Sequence, residues 1–277
     1  MKTAVILPAA GAGRRFNDDT QAGQASKVEL ELAGKPVFLR SIDLFLRRDE
    51  VSDVLLAVAP DKVDAFTARW GDTLRFHGVR IVPGGTVERW ETVTKALAEV
   101  PAHCTHVAVH DAARPMASDA LIDRIFTAAA KHDAVVPGLA VTSTLKRVEA
   151  AAVDDEPEAD PLDAIFGDVG KPTQPTLQQV VETVPRAGLV AVQTPQVFTV
   201  DLLRRAYAPI IDGKLDPAGV TDDASLVEAL GERVYVVEGD AGNMKLTRRE
   251  DVPLFEAIIA RRDADEQAER SRRALRG

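Results

Sequence analysis

Ala4-Val5-Ile6-Leu7-Pro8-Ala9-Ala10-Gly11-Ala12-Gly13-Arg14-Arg15-Phe16 joins a short apolar run to a glycine-bearing turn with two arginines, and a polar stretch then leads to Ser26-Lys27. An uninterrupted apolar run of strand length is the pattern of a strand covered on both faces. Glycine admits positive φ and carries no side chain, so backbone N–H groups can close around an anion. Arginine adds a planar, permanently charged fork that matches phosphate. The stretch reads as a loop for a nucleoside triphosphate; a plain turn after a strand is the competing reading. Two familiar phosphate motifs are excluded. A dinucleotide fingerprint needs a third glycine where Phe16 stands, and Gly34-Lys35 is followed by Pro36, which offers no P-loop hydroxyl.

Outward from this stretch the alternation continues. Val37–Arg48 has helical spacing, Val54–Val58 reads as a strand and Lys62–Trp70 as a helix. Val79–Val82 is a strand ending at Pro83-Gly84-Gly85, Glu88–Glu99 a helix, and His106–His110 a strand. Ala120–His132 is a helix with a Ser118/Asp119 cap, and Ala134–Pro137 a further strand. Beyond Pro195 the spacing predicts helices over Leu202–Tyr207, Asp222–Leu230 and Arg249–Arg262, with a strand over Val234–Glu238. No internal repeat is visible. This alternation specifies an α/β fold: a Rossmann-like, mostly parallel sheet flanked by helices. Ligands of such sheets sit beyond the carboxyl ends of the strands, where loops 8–27, 83–92 and 110–115 all fall.

At 277 residues, 45% hydrophobic and 28% charged, the chain can bury a sizeable core. Its net charge of −9 argues against sequence-independent nucleic-acid binding but leaves room for a small basic pocket. The single cysteine, Cys104, cannot form an internal disulfide or by itself build a zinc site, and cytoplasm is the expected compartment. The N-terminus lacks a signal-peptide pattern and no stretch approaches ~20 apolar residues, so no membrane partner is expected.

Residues 150–178 interrupt the alternation with an acidic, alanine- and proline-rich run that reads as a solvated insertion. Thr144–Val148 and Leu189–Val192 flank it with strand-like composition, as in an extended hairpin arm. Such an arm cannot bury both faces alone, so a second copy of the chain is its expected cover. The expected plan is one α/β domain over 1–262, including a projecting β-arm at 146–188 that carries the insertion, and a charged, fraying tail over 263–277.

Three constellations bear on chemistry. Val109-His110-Asp111-Ala112-Ala113-Arg114-Pro115 places a carboxylate at a strand end, where it holds a divalent cation against a triphosphate or forms an Asp–Arg brace. His110 reads as a packed strand-end residue with no catalytic role. Gly84-Gly85 with Thr92 offers bare backbone and a hydroxyl to a flat base, or is simply a turn. Arg186, Thr194-Pro195-Gln196, Thr221-Asp222 and Asn243-Met244-Lys245 are scattered polar groups; a lysine such as Lys245 binds a phosphate or is a solvated surface charge.

In their order along the chain these pieces are specific together: Leu-Pro-Ala-Ala-Gly-x-Gly-Arg-Arg, Gly84-Gly85…Arg89…Thr92-Val93, Val-His-Asp-Ala-Ala-Arg-Pro, Thr-Pro-Gln, Thr-Asp-Asp-Ala-Ser and Asn-Met-Lys-Leu-Thr. Over about residues 3–259, most of 150–180 excepted, the chain resembles the 2-C-methyl-D-erythritol 4-phosphate cytidylyltransferases of the non-mevalonate isoprenoid pathway. The resemblance implies a homodimer with an exchanged arm, CTP and a sugar-alcohol phosphate as substrates, and Mg²⁺ as cofactor. It implies that Arg15 and Lys27 stabilise charge on the α-phosphate, with Gly11 and Gly13 in the same loop. Arg186 and Lys245 would position the incoming phosphate, in a pocket lined by Thr221 and Arg114. Asp111 would lie near the metal, and Ala9, Ala10, Gly85 and Thr92 would recognise cytosine. The sequence departs from the family in Ser26-Lys27-Val28-Glu29, in a longer span from Arg15 to Lys27, and in a longer arm. A ribitol-5-phosphate-type cytidylyltransferase is the nearest rival reading, and an inactive nucleotide-binding assembly protein a more distant one.

Overall fold

The computed structural model describes residues 1–11, 26–150 and 177–274, which fall into two units, Met1–Leu139 with Val192–Gly277, and Ala140–Ala191. The larger unit opens with β1 (Thr3–Pro8), α1 (Val37–Asp43), β2 (Val51–Val58), α2 (Val63–Phe76) and β3 (Val79–Pro83). It continues with α3 (Arg89–Ala98), β4 (His106–Val109), α4 (Asp119–Ala129) and β5 (Ala134–Ala140). The smaller unit holds β6 (Leu145–Ala150) and β7 (Gln178–Val184). The chain then forms β8 (Gln196–Thr199), α5 (Val200–Ile211), α6 (Asp223–Ala229), β9 (Tyr235–Glu238) and α7 (Val252–Ala274).

β1 lies inside the sheet, whose order in the larger unit is β9-β5-β8-β4-β1-β2-β3. Ala4, Val5, Ile6 and Leu7 are fully buried. Successive strand side chains point to opposite faces, so Ala4 and Ile6 enter one hydrophobic cluster while Val5 and Leu7 enter another. The first cluster takes Val93, Ala96 and Leu97 of α3, Leu203 and Tyr207 of α5, and Leu226 of α6. The second takes Phe38 and Ile42 of α1, Phe66 and Leu74 of α2, and Ile122 and Phe126 of α4. Both faces of the sheet are covered, which is why β1 tolerates no polar residue between Thr3 and Pro8. β1 pairs in parallel with β2 and β4, and β2 with β3, so their carboxyl ends share one edge. The mostly parallel α/β architecture expected from the alternation is the one formed.

Several boundaries differ from expectation. β8 was not anticipated: it is four residues long and runs antiparallel between β4 and β5. Its identity comes from the two strands beside it, since so short a run has no readable period. Helix α1 ends at Asp43 rather than Arg48, with turns following. Helix α7 continues to Ala274 instead of fraying after Arg262. Its early turns are anchored by buried Phe255 and Ile259. Beyond these, alanine, arginine, glutamate and glutamine are good helix formers, and Arg261 Nε lies 2.9 Å from Asp265 Oδ2 one turn on. In the smaller unit β6 pairs antiparallel with β7, so the partner of the 144–148 strand is Gln178–Val184; the strand expected at Leu189–Val192 forms over Val190–Val192 but does not pair with it. Of the acidic insertion read at 150–178, residues 151–176 lie outside the described residues, while Ala150 and Gln178 belong to β6 and β7.

Phe198 of β8 is fully buried within the first cluster. Phe198→Ala is expected to cost about 3–5 kcal/mol of unfolding free energy, measured by urea denaturation. A loss below about 1 kcal/mol would contradict the central placement of β8.

Candidate active site

The site is built at the carboxyl edge of β1 and β4. Ala9 N donates to Ala57 O at 2.8 Å, extending the β1 ladder, and Ala10 and Gly11 emerge just beyond it. At the end of β4, His110 N donates to Ile6 O at 2.9 Å. The His110 ring is fully buried, with Nε2 2.9 Å from Arg114 O and Nδ1 3.2 Å from Thr194 Oγ1. The Thr194 hydroxyl oxygen also accepts from Asp111 N at 3.1 Å. These partners fit a neutral ring that donates from Nε2 and accepts at Nδ1. Burial pushes the His110 pKa down to about 4, against a partial opposing pull from the Arg114 carbonyl. His110 is therefore a packed post that turns the chain and aims Asp111.

Asp111 is the centre of charge. Its carboxylate is buried, with Oδ1 3.3 Å from Arg89 Nε and Oδ2 3.3 Å from Arg114 Nε and 2.9 Å from Lys245 Nζ. Burial alone would raise its pKa, but Arg89, Lys245 and Arg114 outweigh it and hold the carboxyl well below the usual range. Arg89 also reaches fully buried Asp223, with Nη2 2.7 Å from Oδ2 in an ion pair whose alignment falls short of a hydrogen bond. Tyr207 Oη donates to the other Asp223 oxygen at 2.5 Å. Burial works against the Arg89 charge, yet Asp223 and Asp111 more than offset it and its pKa is raised.

Two loops complete the enclosure. Buried Asn243 donates from Nδ2 to Thr194 O at 2.7 Å, while Arg114 Nη1 donates to Asn243 O at 2.8 Å. Leu246 N donates to Ala113 O at 2.8 Å. These bonds tie the Asn243–Lys245 loop to the 110–114 turn and deliver Lys245 to Asp111. On the other side, Gly85 N donates to Thr92 Oγ1 at 3.0 Å, and Thr86 N and Val87 N donate to Glu91 Oε2 at 3.0 and 3.3 Å. Gly84 packs so closely that a Cβ would lie 2.9 Å from Ala10 Cβ, and one on Gly85 would lie 2.5 Å from Glu91 Cβ. Both glycines are required by close approach rather than by an unusual φ.

One cavity is lined by Ala9, Ala10, Gly11, Lys27, Gly85, Thr92, Asp111 and Lys245, all predicted from sequence, together with Glu88 and Arg89. Arg114 stands outside this lining and braces Asp111 and Asn243. Thr221 is exposed just ahead of α6 and does not line the cavity. Arg186 belongs to the smaller unit, where its guanidinium donates to the Thr142 carbonyl. Gly13 and Arg15 lie outside the described residues. Arg89 stands in a sequence motif, but nothing in its neighbours along the chain assigns it a role. A cation in the first turn of a helix is disfavoured by the helix dipole, and that local misfit was the available signal for distant acidic partners.

Asp111 is an ionised carboxylate, the ligand type of which Mg²⁺ takes one or two beside substrate oxygens and water, and an ion there would displace one of the pairings with Arg89, Arg114 and Lys245. Asp111 would be its protein ligand.

A parallel sheet that gathers cations and bare backbone at its strand ends defines an α/β protein of the phosphate-handling class. The family model for 2-C-methyl-D-erythritol 4-phosphate cytidylyltransferase matches residues 3–167 and 168–261. A relative of that name from Acidobacterium capsulatum is 34% identical over 95% of this chain and 100% of its own length. Another from Streptomyces avermitilis is 37% identical over 94% of this chain and 93% of its own. The crystal structure of the Thermus thermophilus protein of that name superposes with a TM-score of 0.66 at 29% identity, covering 93% of this chain and 98% of that one. The chain belongs to the 2-C-methyl-D-erythritol 4-phosphate cytidylyltransferase family.

Two outcomes follow from this geometry. Arg89→Met strands the carboxylates of Asp111 and Asp223, and should lower stability by about 3–5 kcal/mol in urea denaturation; an unchanged midpoint would contradict the buried pairing. For His110, the unfolded chain takes up its proton near pH 6.5 while the native ring takes it up near pH 4. Between those values only the unfolded state is protonated, so stability is full above pH 6.5 and is lost as the pH is lowered from 6.5 to 4, by roughly 3 kcal/mol in all. This component should vanish in His110→Gln. A pH-independent difference between wild type and variant from pH 4.5 to 7.5 would overturn the neutral-ring assignment.

Proposed function

We propose that this chain transfers a cytidylyl group from CTP to 2-C-methyl-D-erythritol 4-phosphate, forming 4-diphosphocytidyl-2-C-methyl-D-erythritol and pyrophosphate. The observation that carries this reading is the convergence of Lys27, Arg89, Lys245 and Asp111 with side-chain-free backbone in one cavity of a chain from that family. The attacking group is a phosphate monoester with a second pKa of about 6, so it is largely dianionic near neutral pH and needs no general base. The barrier lies in bringing two polyanions together and in stabilising the extra charge on five-coordinate phosphorus. Fixed cations aimed at that charge lower it. Lys27, with Arg15, takes the α-phosphate and Lys245 receives the polyol phosphate, a substrate for which the family resemblance also implies Arg186, Thr221 and Arg114. Ala9, Ala10, Gly85 and Thr92, which line one cavity, form the cytosine platform, and the glycines let the 84–85 turn pack tightly on Ala10, Glu91 and Thr92. When bound, Mg²⁺ neutralises triphosphate charge.

The arm strands leave Val148, Val180 and Val181 exposed. A two-stranded ribbon is marginal alone, so a second copy of the chain is its proposed cover, making a homodimer. The proposed compartment is the cytoplasm, as the sequence reading expects; no described helix is long and apolar enough to cross a membrane.

A pyrophosphate-release assay crossing CTP, ATP and UTP with methylerythritol, ribitol and hexose phosphates tests the reading. Turnover is expected with CTP and methylerythritol 4-phosphate; turnover with ribitol 5-phosphate alone would replace the acceptor. Lys27→Ala should lower kcat by about 10²–10³, while Lys245→Ala should raise KM for the polyol phosphate more than for CTP. Near-normal kcat in the first, or equal KM changes in the second, would reverse the assigned roles.

A further inference from the structure

A second cluster of chemically versatile side chains sits at the opposite edge of the sheet. Asp53 lies near the start of β2, and His103 and Cys104 precede β4. These strands both neighbour β1, and their other ends frame the active site. Val58 is five positions on from Asp53, so the cluster stands roughly 16 Å from the catalytic edge at ~3.3 Å per residue.

His103 Nε2 lies 2.9 Å from Asp53 Oδ2, and Cys104 Sγ lies 3.5 Å from the same oxygen. One donor atom from each of the three residues falls within 4.8 Å of the other two. Tetrahedral zinc takes sulfur at ~2.3 Å, nitrogen at ~2.0–2.1 Å and carboxylate oxygen at ~2.0–2.2 Å, which separates its ligands by roughly 3.3–3.6 Å. The cluster therefore closes on such an ion through small side-chain rotations. The backbone beneath is paired: Asp53 lies opposite Ala4 of β1, next to a register shift at Thr3/Ala4, and Cys104 N donates to Pro101 O at 3.0 Å. The His103 side chain is 50% exposed, which gives an ion a path in and a water a fourth position.

We propose that Asp53, His103 and Cys104 form a binding site for zinc or a similar borderline-soft divalent cation, separate from the magnesium chemistry proposed at Asp111. Sulfur and imidazole select such an ion over Mg²⁺, which takes oxygen ligands. Burial pushes the Cys104 thiol up, and Asp53 pushes it the same way against Ser52 and Lys2, so the free sulfur is protonated and a poor nucleophile. A cation replaces that proton: one metal–sulfur bond forms, and one proton leaves to solvent. The bound ion would pin the 101–105 loop to β2 and raise the melting temperature without entering the active-site chemistry.

The test uses the full chain, stripped of metal and kept reduced with a non-chelating phosphine, then titrated with Co²⁺. Because Cys104 is the one cysteine in the chain, a near-ultraviolet thiolate-to-cobalt charge-transfer band reports this site and cannot arise at Asp111. The expected result is a band saturating at one Co²⁺ per chain, bleached by Zn²⁺ and absent from Cys104→Ser. His103→Ala, a substitution at an exposed position, should keep normal turnover while binding Co²⁺ at least about tenfold more weakly. Zn²⁺ should raise Tm in wild type and not in either variant. A titration with no thiolate band, or equal affinity in wild type and His103→Ala, overturns the proposal.

Discussion

One buried carboxylate, Asp111, and the three cations around it organise the functional end of this molecule. Arg89 starts α3, Arg114 closes the turn after β4, and Lys245 arrives on a loop far later in the chain. The Asp111 carboxylate is buried and depends on these cations: without them it would be an uncompensated ion in a poorly polarisable medium. The network therefore fixes three loops relative to one another. It extends inward through Asp223 to Tyr207, so the first residue of α3 is also bound to the helices covering that face of the sheet. A polyanion entering the cavity meets cations already oriented, and little reorganisation is needed.

The sheet makes this possible by asking nothing of its loops. Residues 4–7 and their neighbours in β2 and β4 are buried on both faces by helices, so stability resides in apolar layers and the strand ends are left to chemistry. His110 shows how close the two duties come. It is one residue from Asp111, yet its ring is satisfied at both nitrogens and held neutral by burial. The opposite edge of the same strands carries the Asp53–His103–Cys104 group, whose sulfur and imidazole suit a different class of ion.

The alternation of apolar strands and amphipathic helices was readable because parallel strands buried on both faces have continuous hydrophobic runs. β8 was not, since four residues carry no period and its pairing depends on β4 and β5. The helical continuation to Ala274 was missed for a different reason: it rests on local propensity and i,i+4 charge pairs rather than on core residues. The arm's strand partner was misjudged because pairing register in an exposed ribbon is weakly specified by composition.

From sequence alone came the α/β architecture, the sheet edge that carries the site, and most of the residues lining the cavity, including Lys27, Asp111 and Lys245. Those residues sit in motifs whose chemistry is local: glycines that allow close approach, an acid at a strand end, a lysine beside an asparagine. Only the tertiary structure decided that Arg89 pairs with both Asp111 and Asp223, and that Arg114 ties the 110–114 turn to Asn243. Which charges neutralise one another depends on distances between chain segments far apart in sequence. Such distances exist only once the hydrophobic layers have packed.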